Sequence, residues 1–268
     1  KDTSIRIWDL DSGQALATLE GHSAGVRALT VTADGAHLLS GSADKTLRVW
    51  ALDGGSCRGA LAGHTRAVTA IVLTPDERLA ISCSEDGSLK VWNWWLAGQG
   101  EGSTVASHAS GVATVALAPD GRWGISAADE GELLLWDTVR GESYSGIRAP
   151  TTVRTMFFAR EPGKVWACCK DGAFLELDLH TRSLRIVGQT SAAGYVALAE
   201  TPFGKRLFCP HEGRIRIFDP QSGRMLGELQ PGAELRMLWG LAATPDGTRV
   251  AGVYWTSAVD VWDGRTSR

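Results

Sequence analysis

Short apolar runs of about six residues recur along the whole chain, separated by turn residues, and no stretch repeats its apolar positions with a helical period. One such set reads Val26–Thr32, His37–Ser42, Thr46–Ala51 and Cys57–Leu61. The breaks between runs carry suitable turn chemistry: Asp34-Gly35, Pro75-Asp76, Pro119-Asp120-Gly121 and Pro245-Asp246-Gly247. Proline presets φ in such turns and glycine accepts a positive one. The pattern predicts an all-β protein.

The runs belong to a repeat. Trp8, Trp50, Trp92, Trp136, Leu177, Phe218 and Trp262 each end one run, and their successive separations are 42, 42, 44, 41, 41 and 44 residues. Gly21-His22, Gly63-His64 and Ser107-His108 form a second series, each histidine 28 residues before its tryptophan (22 to 50, 64 to 92, 108 to 136). Asp44, Asp86 and Glu130 form a third, six residues before the same tryptophans. Four strands in each period of this length describe a propeller blade.

The run Leu39-Ser40-Gly41-Ser42-Ala43-Asp44-Lys45-Thr46-Leu47-Arg48-Val49-Trp50, with Gly-His before it, resembles the WD40 repeat family. The resemblance is close up to about residue 137 and looser afterwards. It implies a WD40-type β-propeller with four-stranded antiparallel blades, strands a to d from the axis outwards. Residues 1–268 read as one propeller domain, with repeat boundaries near 22, 64, 108, 149, 189 and 231. The inventory is six a-b-c sets plus an N-terminal c–d hairpin, Ile5–Asp9 and Ala15–Leu19. This predicts a segment of a longer multi-domain protein and part of a seven-bladed ring.

The resemblance also implies a hydrogen-bonded chain in each blade. It would join the histidine before strand a, a strand-b hydroxyl, the strand-c tryptophan and the b–c turn acid. That carries over to His22, Asp44 and Trp50, to His64, Asp86 and Trp92, and to His108, Glu130 and Trp136. Ser40 or Ser42, and Ser82 or Ser84, are the hydroxyl candidates, because residues two apart share a strand face. Recurrence with the blade period makes these sets structural, not repeated catalytic triads. Later repeats lose the signature, and Cys168, Cys169, Phe174, Phe208 and Val253 are expected to hold them by apolar packing.

In the family, partners dock on the top face, formed by the d–a and b–c loops and the start of strand a. The corresponding positions are Arg27, Glu85, Asp129, Arg154, Lys170, His211, Trp239 and Trp255. Trp and Arg are enriched in binding hot spots, which favours Trp239, Trp255, Arg27 and Arg154. Trp94 and Trp95 lie in a stretch two residues longer than its counterparts and face opposite ways, so the readings are packing against the neighbouring blade or one ring exposed as an anchor at the bottom or rim.

Net charge is −3 and no basic stripe stands out, so neither nucleic acid nor a polybasic membrane contact is expected. No apolar run approaches the roughly 20 residues of a membrane span. The five cysteines show no C-x-x-C, and Cys57, Cys83, Cys168, Cys169 and Cys209 read as reduced thiols of a cytoplasmic protein. His37 and His180 belong to no register and stand apart from other ligands, so no metal site is expected. No phosphate-binding loop, kinase motif or nucleophile elbow occurs. The expected function is a non-enzymatic scaffold or sensor without cofactor or small-molecule substrate. Its partner would be a protein, a peptide or another domain of its own chain. Ala-rich repeats containing Thr-Pro-Asp resemble bacterial WD-repeat proteins, where such arrays follow signalling or effector domains. A propeller enzyme with a central-channel site, and a purely architectural subunit, are the competing readings.

Overall fold

A computed structural model describes residues 3–97, 102–138, 140, 142–159, 161, 163–189, 197–201, 204–211, 214–219, 224–229, 238–244, 248–254 and 259–263. The chain divides into two compact units, Lys1–Gly163 and Lys164–Arg268. The strands fall within a residue or two of the runs read from the sequence.

Unit 1 begins with an antiparallel hairpin of β1 (Ile5–Trp8) and β2 (Ala15–Leu19). Three four-stranded antiparallel sheets follow, each in chain order, as propeller blades are built. The first holds β3 (Val26–Val31), β4 (His37–Ser42), β5 (Thr46–Ala51) and β6 (Ser56–Ala62). The second holds β7 (Val68–Leu73), β8 (Ala80–Ser84), β9 (Ser88–Trp92) and β10 (Ser103–Ser107). The third holds β11 (Val112–Leu117), β12 (Trp123–Ala128), β13 (Glu132–Asp137) and β14 (Ser143–Arg148). The last strand of the unit, β15 (Val153–Phe158), lies beside β11.

The sheets bury apolar side chains against one another. Leu39, Leu47, Val49 and Leu61 of the first blade share a core with Val68, Ile71, Ala80 and Trp92 of the second. Ile81, Cys83 and Leu89 of the second meet Val112, Val115, Leu134 and Trp136 of the third. The hairpin covers the other side of the first blade, where Ile5 and Leu19 pack on Leu38 and Trp50. At about 25 cal/mol per Å², burial on both faces of the middle strands is the main stabilising term.

Unit 2 repeats the pattern. Strands β16 (Lys164–Cys169), β17 (Ala173–Asp178) and β18 (Ser183–Gln189) run antiparallel in order. A four-stranded sheet follows: β19 (Ala197–Thr201), β20 (Gly204–His211), β21 (Arg214–Phe218) and β22 (Met225–Leu229). Strands β23 (Leu238–Ala243), β24 (Arg249–Tyr254) and β25 (Val259–Asp263) complete the described chain. Cys168, Cys169, Phe174 and Phe208 are buried in this unit. The side chain of Val253 lies outside the described residues.

Gly41 of β4 lies at a close approach between the first and second blades. A Cβ there would sit 2.6 Å from Cγ1 of Val68. Gly41→Ala should therefore lower stability by about 1–3 kcal/mol through overpacking. Val68→Ala in the same chain should recover part of that loss, because the two sites share one volume. Urea melts of the two single variants and the double variant check this; strict additivity would show that the contact does not limit packing.

Candidate functional site

Three strands position each polar set, and the backbone register explains how. Leu38 pairs with Trp50 across β4 and β5, so Ser40, two residues on, faces the same side as the indole. Trp50 Nε1 donates to Ser40 Oγ at 2.8 Å, and Ser40 Oγ is 2.7 Å from His22 Nε2. His22 Nδ1 is 2.7 Å from Asp44 Oδ2. The proton order that satisfies every group runs from indole to hydroxyl to imidazole to carboxylate. The second blade repeats it: Trp92 Nε1 to Ser82 Oγ at 2.8 Å, Ser82 Oγ to His64 Nε2 at 2.7 Å, and His64 Nδ1 to Asp86 Oδ2 at 3.0 Å. Ser42 and Ser84 do other work. Their hydroxyls donate to the carbonyls of Ala24 and Arg66 and accept the amides of Asp44 and Asp86.

Residues outside the sequence reading complete the set. Thr46 and Ser88, two positions after the acids, donate their hydroxyls and amides to Asp44 Oδ1 and Asp86 Oδ1. The other carboxylate oxygen of each acid accepts the amide of Ser23 or Thr65, which pins the loop entering strand a. Glycine before the histidine leaves room for the indole: a Cβ on Gly21 would lie 3.3 Å from Trp50, and one on Gly63 3.2 Å from Trp92.

The third blade corrects the sequence assignment. Glu130 does not bond His108; it is exposed and lies 3.4 Å from Arg148. Glu132 takes its place, with Oε2 2.9 Å from His108 Nδ1. The reason is geometric, because 132 is the strand position that Thr46 and Ser88 hold, and a glutamate there is long enough to reach the ring directly. His108 Nε2 still meets Ser126 Oγ at 2.8 Å. Trp136 does not join, and its buried Nε1 has no hydrogen-bond partner among the described residues. Its cross-strand neighbour is Gly124, where Leu38 and Ala80 stand in the other blades. The indole settles into that space, 2.2 Å from where a Cβ would be.

The positions expected on the top face divide between the units. In unit 1 the b–c turns are tied to the loops entering strand a: the amides of Ala43, Glu85 and Asp129 donate to the carbonyls of Gly25, Ala67 and Gly111. Arg27 and Glu85 form an ion pair between the first and second blades, each about a third exposed. Asp129 is exposed and its carbonyl accepts the hydroxyl of Thr152. Arg154 is exposed on β15. In unit 2, Lys170 is exposed in the turn between β16 and β17. The side chains of His211 and Trp239 and the whole of Trp255 lie outside the described residues. Among the described residues no three His, Cys, Asp or Glu side chains gather as metal ligands. Among the described residues no helix is long and apolar enough to cross a membrane.

Burial holds the imidazoles of His22 and His64 below their ordinary value of 6.5, although their aspartates oppose the shift. Burial alone would raise Asp44, but bonds from Thr46, His22 and the Ser23 amide outweigh it and bring the carboxyl down to about 2. Asp86 is lowered in the same way.

Two predictions follow from this wiring. Ser40→Ala strands both an indole N–H and an imidazole nitrogen, so it should cost about 2–4 kcal/mol, against about 1–3 for Ser126→Ala, which strands the imidazole alone. Equal losses in chemical melts would contradict the difference in wiring. Acid should destabilise unit 1 in two steps. The depressed histidines contribute stability that is full above about pH 6.5 and declines as pH falls through their folded values. The carboxylates add a second decline below about 3.8, extending towards 2. The double variant His22→Gln/His64→Gln should flatten the upper step in melts across this range.

Comparison with known proteins agrees with this geometry. The family model for the WD domain, G-beta repeat (WD40) matches residues 13–51, 55–93 and 101–137. Each match takes in the d strand of one sheet and the a, b and c strands of the next, so the sequence repeat straddles two sheets. A stretch of 45 residues is 47% identical to Mitochondrial division protein 1 of Neurospora crassa, covering 17% of this chain and 7% of that protein. Another comparison gives 46% identity over 46 residues to Nuclear distribution protein PAC1 of Arthroderma benhamiae, covering 17% of this chain and 10% of that protein. The Nuclear distribution protein PAC1 of Trichophyton verrucosum matches to the same extent. The matched stretch is therefore a tenth or less of the length of these curated relatives. Three consecutive matches, each coinciding with four strands, show that residues 13–137 carry WD40 repeats.

Proposed function

We propose that the chain is a non-catalytic scaffold of the cytoplasm that signals only through what it binds, and that it captures a protein or peptide on its top face. WD40 repeats generally serve as protein-interaction scaffolds, and the similarity to a division protein and a nuclear distribution protein supports that general role. On this reading residues 1–268 form one propeller, with repeats beginning near 22, 64, 108, 149, 189 and 231.

The observation that carries the reading is the fixed, charged rim of unit 1. Glu85 and Asp129 stand on turns bonded to the loops entering strand a, and Arg27 and Arg154 are exposed near the starts of β3 and β15. An exposed pair such as Arg27–Glu85 is worth only about 0–1 kcal/mol to the fold, so exchanging it for a partner's charges costs little. Lys170 would extend the charged set within its own unit, and His211, Trp239 and Trp255 are the remaining proposed contacts. No nucleic acid, membrane, metal or cofactor is part of this function.

A photo-cross-linking residue at Asp129, followed by mass spectrometry of adducts in the native host, should trap a polypeptide. Arg27→Ala/Arg154→Ala should cut its capture at least about tenfold, while melting stays near wild type. Capture unaffected by both substitutions would remove this rim from the binding site. An adduct with another region of the same polypeptide would point to an autoregulatory propeller instead.

A further inference from the structure

The end of unit 1 opposite these turns holds a second surface, built by the longer connection after β9. Its residues Trp94–Leu96 form a 3₁₀ turn, not a strand. Trp94 is 1% exposed and its Nε1 donates to the carbonyl of Glu77 at 2.8 Å, in the turn between β7 and β8. Trp95 stacks on it, with ring centroids 4.2 Å apart and planes 24° from parallel. The His37 imidazole meets the Trp95 ring edge to face at 5.0 Å and touches Trp94 at 5.4 Å. The chain then passes so close to β6 that a Cβ on Gly59 would sit 2.9 Å from the carbonyl oxygen of Ala97. Trp95 is thus held in place from two sides.

Yet Trp95 is 55% exposed and Leu96 is 52% exposed. A rigid indole beside an aliphatic side chain, both in water, is the composition of a binding anchor: it brings large contact area with little ordering cost. Beside them stands a cation. Arg58 on β6 is exposed and donates Nη1 to His37 Nε2 at 2.9 Å, the same ring that touches Trp95. No carboxylate pairs with Arg58 among the described residues, so no ion pair there competes for the rest of its five N–H donors. One guanidinium in a chain of net charge −3 does not make a track for a phosphate backbone. It does suit a carboxylate, which Arg binds in a bidentate fork.

We propose that Trp95, Leu96 and Arg58 form a docking site for an acidic peptide segment, which lays a proline or aliphatic side chain on the indole and a carboxylate on the guanidinium. The site is separate from the top rim and does not depend on it.

Selection of a phage-displayed library of random short peptides on the folded chain tests the site. Peptides that pair Asp or Glu with Pro, Leu or Ile should be enriched. A synthetic copy of the winner should bind wild type at least about tenfold more tightly than either Trp95→Ala or Arg58→Ala. Added salt should weaken that binding, and Arg27→Ala/Arg154→Ala should leave it unchanged. Thermal melts confirm that the exposed substitutions keep the fold. Failure to select any peptide that depends on Trp95 would overturn the proposal, as would winners that are basic or uncharged. Self-association abolished by Trp95→Ala would overturn it in favour of a second copy of this chain.

Discussion

Face-to-face burial of the middle strands governs this protein. In β4, β8 and β12 nearly every residue is buried, so both faces of the strand are withdrawn from water. A sheet of four short strands cannot cover its own faces, and each blade therefore completes its core with side chains of its neighbour. Any polar atom placed in that layer must find its partner inside the protein. The serine hydroxyls of β4 and β8 satisfy an indole and an imidazole at once, and the aspartates carry the chain out to the loops. The polar sets are a consequence of the stacking, not an addition to it.

Unit 2 meets the same constraint by another route. Val165 pairs with Leu177 as Leu38 pairs with Trp50, which places Ala167 where Ser40 stands. In that pair of strands the indole and the hydroxyl are both replaced by apolar side chains, Leu177 and Ala167. Removing both partners of a buried hydrogen bond leaves nothing unsatisfied and costs little, whereas removing one is expensive. The third blade lies between these solutions. It keeps histidine and serine, loses the tryptophan bond to the space above Gly124, and recruits Glu132 as the acid. Loss of the signature along the sequence is a change in how the layer is satisfied, and the sheets persist.

Much of this was legible in the sequence because it is local or periodic. Strand limits, the histidine–tryptophan spacing and the acids of the first two blades depend on register alone. The choice of Ser40 over Ser42 was not legible, since both face the same way and only the position of the indole separates them. Glu130 misled because it stands in the aspartate's place in the chain, whereas side-chain length decides which acid reaches the ring. The pairing of Arg27 with Glu85 spans 58 positions and two sheets, and no local pattern encodes it. Trp94 and Trp95 were legible as an oddity of length. Their division into a buried and an exposed ring follows from the 3₁₀ turn and the Glu77 carbonyl that receives one of them.

The same bonds that satisfy the core also shape the proposed top rim. Asp44 and Asp86 hold the amides of Ser23 and Thr65, at the start of the loops that lead to Arg27 and Thr69. Ser42 and Ser84 fasten the carbonyls of Ala24 and Arg66 in those loops. Order that the fold has already imposed on a loop is not charged again when a partner binds, so a rim built this way loses less entropy on association. The aromatic turn at the other end is rigid for a different reason: ring stacking and one indole bond, with no buried charge. Acid that weakens the histidine–aspartate sets would therefore loosen the first surface. Two surfaces with separate physical supports on one stack of blades can respond independently to conditions and to mutation.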